Sequence, residues 1–187
     1  MIWNEHSELV GVHAPFGASQ HSWVRYDDEK FIEVYKNKKA APMGTRLHAF
    51  AAEAIALRRK QADLDSVGLF INDAVDLKMR PEQPLWYSPR FGGTADAISY
   101  RRGVLRIFDL KTGKNEASIE QLEIYAAFFC LEYKIQPKNI KSIILRLYQF
   151  DTITEEIADR DKIHELMANI AHKDRIGKKI DAEEYDL

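Results

Sequence analysis

The chain has a single cysteine, Cys130, among its 187 residues. One thiol excludes an internal disulfide, a zinc ribbon and a four-cysteine iron–sulfur cluster. Cys130 itself reads as a buried helix residue without chemistry. No apolar run approaches the roughly 18 residues of a membrane span, so no membrane partner is expected. Residues 1–8 lack the basic-then-apolar layout of a secretory leader, and the chain reads as cytoplasmic. An excess of one charge is missing as well: 27 Lys and Arg stand against 29 Asp and Glu, a formal net charge of −2. That balance excludes a histone-like binder whose whole surface is basic. No repeat or low-complexity linker interrupts the chain, and its length fits one domain spanning residues 1–187.

The charge that is present is unevenly placed. Residues 181–187 form an acidic tail with four acids and no base, and without it the chain sums to +2. Residues 36–60 hold seven bases and one acid, and residues 90–114 hold six bases and two acids. Both stretches are candidate anion-facing surfaces.

Apolar periodicity and breakers predict the elements. Residues 1–18 read as loop. Residues 19–36 are expected to form one helix, with Trp23, Phe31 and Tyr35 facing inward. Pro42 sits where a first-turn proline belongs, and the Ala-rich stretch to Lys60 reads as a helix. Residues 66–79 predict another helix, stopped by Pro81, and residues 84–91 read as extended. The clearest strand signal is a hairpin: residues 94–100 and 104–110 flank Arg102-Gly103, a two-residue turn ending in glycine. A long buried helix over 117–133, a strand over 140–150 and a last helix over 161–171 complete the chain. This order predicts an α/β fold with a central mixed β-sheet flanked by helices.

The hairpin register carries the chemistry. Pairing Arg101 with Val104 across the turn also sets Asp96 opposite Asp109. Two carboxylates facing across a ladder repel, so a proton, a base or a divalent cation must compensate. Asp109 and Lys111 lie two apart on a strand and share a face. An acid-x-Lys triplet alone is weak, since it occurs four times in this chain. Only the one at Asp109 ends an apolar strand with a second acid on the partner strand. On the following helix Gln121 and Tyr125 lie four apart on one face. His48 sits on the Ala-rich helix, and Glu53, five residues on, is turned away from it.

Taken in order, Gly44-Thr45-Arg46-Leu47-His48, Gly93-Thr94-Ala95-Asp96, Asp109-Leu110-Lys111-Thr112-Gly113-Lys114 and Gln121-x-x-x-Tyr125 form a recognisable series. The chain resembles the PD-(D/E)XK nucleases, in the RecB-like and lambda-exonuclease-like branch found in bacteriophages. The likeness covers roughly residues 15–150. A strand and helix over 140–173 then close the domain. It departs from the family pattern at Ala95, where the name-giving proline would stand. It departs also at Ala52, with Glu53 one place beyond the glutamate often found after the histidine.

The resemblance implies a restriction-endonuclease-like core and a divalent-metal-dependent DNA nuclease. His48, Asp96 and Asp109 would bind Mg2+ or Mn2+, with Leu110 offering its backbone carbonyl. The metal would act as Lewis acid and lower the pKa of an attacking water, which Lys111 would orient. Gln121 and Tyr125 would hold the nucleotide beside the scissile phosphate or buttress Lys111. Lys114, Arg58 and Arg59 are the candidate phosphate contacts. The expected activity is that of an exonuclease acting on linear DNA ends in phage or prophage recombination or replication, inside a bacterial host. Homo-oligomerisation or a recombination or replication protein would supply processivity. A structure-specific or nicking endonuclease is the alternative on the same fold, and a catalytically silent nucleic-acid-binding protein is the alternative of another class.

Overall fold

The computed structural model describes residues 1–7, 14–38, 46–112 and 117–183. A 3-10 segment, Ala18–Arg25, leads into α1 (Asp28–Lys38), α2 (Arg46–Ala56) and α3 (Ser66–Asp76). Three strands follow, β1 (Arg80–Ser88), β2 (Phe91–Arg101) and β3 (Val104–Leu110). The chain then runs through α4 (Glu120–Glu132), a 3-10 turn at Pro137–Asn139, β4 (Ser142–Gln149), β5 (Thr152–Ile157) and α5 (Arg160–Glu183). The sheet order is β1-β2-β3-β4-β5. β1, β2 and β3 form an antiparallel meander, β4 lies parallel to β3, and β5 returns antiparallel. A parallel neighbour needs a crossover, and α4 provides it between β3 and β4.

The expected mixed sheet flanked by helices is therefore present, in three layers. On one face Ile98, Leu105, Ile107, Ile143 and Leu145 meet α4, α5 and the 3-10 segment. On the other, Ala97, Phe108, Leu110 and Tyr148 meet α2 and α3. α4 is sandwiched, with every residue from Gln121 to Cys130 buried. Cys130 has no exposed surface and its thiol is pushed up to about 12 by burial, in keeping with an inert packing role. Among the described residues no helix is long and apolar enough to cross a membrane.

Several expected boundaries are corrected. The single helix over 19–36 is two elements, because Tyr26 is extended and the Asp27 carboxylate accepts the Lys30 N–H, capping a new helix. The helix begun at Ser66 ends at Asp76, where Leu77 leaves helical geometry and Lys78 turns left-handed. Extended structure starts at Arg80 rather than Pro84. β1 is an edge strand, where prolines are tolerated as they are not in a central strand. β5 is an additional strand that no expected element covers, and it is exposed at every position. The last helix runs on to Glu183, and Asp181 is tied by hydrogen bonds to Arg90 and Tyr35. Part of the acidic tail is therefore a docked helix end. Pro42, Gly44, Thr45, Gly113 and Lys114 lie outside the described residues.

Candidate active site

The hairpin has the expected register. Arg101 pairs with Val104 and Ala97 with Phe108, and one further step sets Asp96 opposite Asp109. The same counting extends to β1. Between the Pro81–Ala97 and Gln83–Ala95 pairs, Glu82 lies opposite Asp96. Three carboxylates thus stand in a row on three neighbouring strands. Glu82 adopts φ 45°, a left-handed conformation that costs a non-glycine residue roughly 1 kcal/mol or more.

His48 reaches this row from α2. Its Nδ1 is 3.2 Å from Asp96 Oδ1, and one ligand atom each from His48, Glu82 and Asp96 lie within 4.8 Å of one another. The other oxygen of Asp96, Oδ2, accepts the backbone N–H of Leu110 at 2.9 Å. That bond locks the Asp96 carboxylate to the end of β3. Leu110 thus contributes its N–H to the site, a contact separate from the carbonyl role that the resemblance implies.

Asp109 is 2 % exposed and shares the α4-facing side of β3 with Leu105 and Ile107. Its Oδ2 lies 3.0 Å from Lys111 Nζ but has no aligned hydrogen bond. Lys111 Nζ donates to Gln121 Oε1 at 2.6 Å. An ammonium has only donors, so the Gln121 carbonyl must face it and the amide N–H2 must face the other way. That amide donates to Asp109 Oδ1 at 3.2 Å and to Tyr125 Oη at 3.4 Å. Gln121 therefore bridges acid, base and phenol from one helix turn. Its spacing with Tyr125, legible in the sequence, is what makes this reach possible.

Two glycines let the backbone approach. A Cβ at Gly92 would come within 2.6 Å of the Trp86 ring, and one at Gly93 within 3.1 Å of Tyr125 Cε1. Only hydrogen fits between β2 and the Tyr125 ring without displacement.

The electrostatics of the row are frustrated. Asp109 is raised to about 7, first by burial and then by the Asp96 carboxylate, against the pull of Lys111 and His48. Glu82 is also raised to about 7 by loss of water around the carboxyl and by Asp96. The residue as a whole remains exposed, so the group is reachable from solvent. His48 is raised by its hydrogen bond to Asp96, which outweighs its partial burial. Tyr125 is held well above its ordinary value by burial and by Asp109, so it stays a neutral phenol that accepts from the Gln121 amide.

His48, Glu82 and Asp96 stand close enough together to hold one metal ion. The donor set of carboxylates with one imidazole suits Mg2+ and suits Mn2+ better. Asp109 Oδ2 is a buried acceptor with the Lys111 ammonium nearby but no aligned hydrogen bond, which leaves it room for a further positive partner. Glu82 was not among the expected ligands. The register would have found it had the strand been started at Arg80, but Pro81 reads as a helix stop and the extended segment is expected only from residue 84.

Comparison with protein-family models, with curated proteins and with solved structures gives no match. The reading of this site therefore rests on its geometry.

Not every expected residue joins the site. Arg58 and Arg59 are exposed just beyond the end of α2, more than two helical turns past His48. Arg58 donates to the Met79 carbonyl at 3.1 Å. Glu53 is exposed on α2, as its spacing from His48 predicted.

Proposed function

We infer that the chain is a divalent-metal-dependent nuclease that hydrolyses DNA phosphodiester bonds. The single observation that carries this reading is the convergence of His48, Glu82 and Asp96, one ligand atom each within 4.8 Å of the others, next to the Asp109–Lys111 pair at the end of β3. Hydrolysis of a phosphodiester needs positive charge against the phosphoryl oxygens, a deprotonated water and a stabilised leaving oxygen. Held by His48, Glu82, Asp96 and Asp109, Mg2+ or Mn2+ would supply Lewis acidity and an acidified water. Lys111 orients that water and balances the charge that grows on the phosphoryl group. Gln121 fixes the Lys111 ammonium by accepting from it, and Asp109 fixes Gln121 in turn. Tyr125, kept neutral, holds the amide from the other side. The meander of β1–β3 followed by a helical crossover to β4 supports a restriction-endonuclease-like core.

The substrate is proposed to be linear DNA attacked from an end, in recombination or replication of a phage or prophage. The test incubates the protein with linear and closed-circular duplex DNA and Mg2+ or Mn2+. Digestion of the linear form alone is expected. Cutting of the circle would reassign the site to an endonuclease. Lys111→Ala should lose cleavage by about a thousandfold and keep DNA binding. Full activity in that variant would remove Lys111 from the mechanism.

A further inference from the structure

The sheet has a second charged end. β2 carries Asp96 and, at its end, Arg101, while α2 carries His48 and ends two residues before Arg58, so both lead away from the acidic row to the same place. There the contacts link cation to cation. Arg58 donates to the carbonyl of Met79, next to Lys78, and Arg101 donates to the carbonyl of Lys78 at 3.2 Å. Arg102 forms the hairpin tip with Gly103. The Lys141 N–H bonds the Gly103 carbonyl at 2.8 Å, and the Lys141 side chain lies along Gly103. Arg58, Arg59, Lys78, Arg101, Arg102 and Lys141 are all exposed. None of the six has an ion-pair partner among the described residues. The cations Arg25, Lys60, Arg146 and Lys162, by contrast, are each paired with an acid.

A second observation concerns backbone rather than charge. Arg58, Lys78 and Arg102 all hold φ between 51° and 56°. Glycine takes this conformation freely, whereas other L-residues are strained in it. Three strained positions on one face therefore carry a cation where glycine would cost least.

We propose that this band is a second nucleic-acid contact that grips the phosphate backbone about five nucleotides from the scissile bond. The inference rests on the nuclease reading for its ligand. Five strand residues from Asp96 to Arg101 span roughly 17 Å, and DNA advances about 3.4 Å per nucleotide along each strand. A backbone lying along α2 would touch both ends.

The test is binding of a labelled 30-base-pair duplex and a 30-nucleotide single strand in EDTA, where a divalent-metal enzyme does not cut. The triple variant Arg101→Gln, Arg102→Gln, Lys141→Gln should bind at least about tenfold more weakly near 0.1 M salt. Its slope of log affinity against log salt should fall by about two to three. Cleavage of a tetranucleotide, too short to reach the band, should stay within about twofold of wild type. The double variant Arg102→Gln, Lys141→Gln, which keeps the Arg101 bond to Lys78, should show the same loss in part. Unchanged affinity and slope overturn the proposal, as does binding to phosphatidylserine vesicles with none to either DNA. A wild-type chain that binds DNA through the band yet never cleaves would leave the proposal standing and remove the nuclease reading.

Discussion

Two ionic clusters are buried in this fold, and they are built on opposite principles. Around Arg90 every charge has its partner. The guanidinium donates to Asp174 Oδ1 from Nε and Nη2 at 3.1 and 2.9 Å, and from Nη1 to Asp181 at 2.5 Å. Ser88 donates to Asp174 as well, and Lys178 reaches its second oxygen at 3.0 Å. Burial alone would push Asp174 up, but these donors outweigh it and hold the carboxyl below its ordinary value. Around Asp109 the balance is the reverse: three carboxylates share one lysine and one histidine, and two of them sit near 7. The first cluster docks α5 onto the sheet. The second is left short of positive charge, which is the condition a metal-binding site must meet.

The largest expected contrast lies in activity. Asp109→Asn should lower hydrolysis by about a thousandfold, since it removes a ligand and unsettles Gln121. Arg90→Met should leave cleavage per folded molecule within about twofold. It should instead cost stability, about 3 kcal/mol, because Asp174 is then buried with only Ser88 and Lys178. For a chain of this size that lowers Tm by roughly 6–12 °C. Equal loss of activity in both variants would erase the distinction between a docking cluster and a working one.

Metal should separate the clusters next. Mn2+ at about a hundred times its Kd should add about 2.7 kcal/mol to the wild-type chain, read as a rise in Tm. His48→Ala, Glu82→Gln and Asp96→Asn should each lose most of that rise, while Arg90→Met keeps it. If Glu82→Gln retains the full rise, Glu82 is not a ligand.

The two clusters should also respond to pH in opposite directions. Asp109 keeps its proton in the folded chain up to about 7, whereas the unfolded carboxyl releases it near 3.8. Its contribution therefore falls as pH rises through that window. Asp174 is lowered in the folded chain, so its contribution is present above about pH 4 and is lost as pH falls further. Without metal, Asp109→Asn should raise Tm at pH 8 by about 3–6 °C and flatten the decline between pH 4 and 7. Asp174→Asn should lower Tm above about pH 4 and converge on the wild type at the acid end. An unchanged slope in Asp109→Asn would show that Asp109 is ionised in the metal-free fold.

The difference between the clusters also explains what could be read before the structure. Asp96, Asp109 and Lys111 were legible because a two-residue turn fixes the register and one-step counting does the rest. Gln121 and Tyr125 were legible because helix spacing is local. Glu82 escaped because an edge strand tolerates prolines that elsewhere break structure. β5 escaped because a strand exposed on both faces carries no alternation to detect. The Arg90 cluster was invisible, since its partners lie 84 and 91 residues apart and only tertiary packing joins them. Periodicity reports burial along one element; it says nothing of which distant charge fills a buried acid's need.

The smallest effect expected bears on how exactly the frustrated cluster is positioned. Gly93 lies against Tyr125, and an added methyl would meet the ring at 3.1 Å. The ring is buried, so it can yield by only a few tenths of an ångström, and any movement passes through the Gln121 amide to Asp109 and Lys111. Gly93→Ala should therefore cost about 1–2 kcal/mol of stability. A misplaced positioning group lowers kcat rather than raising KM, and a fall in kcat of about tenfold is expected. Tyr125→Phe removes the same hydrogen bond without crowding, so it should reproduce part of the kcat loss with little change in Tm. If Gly93→Ala shifts Tm alone, the contact is packing only, and the chain of bonds from Tyr125 to Lys111 ends at Gln121.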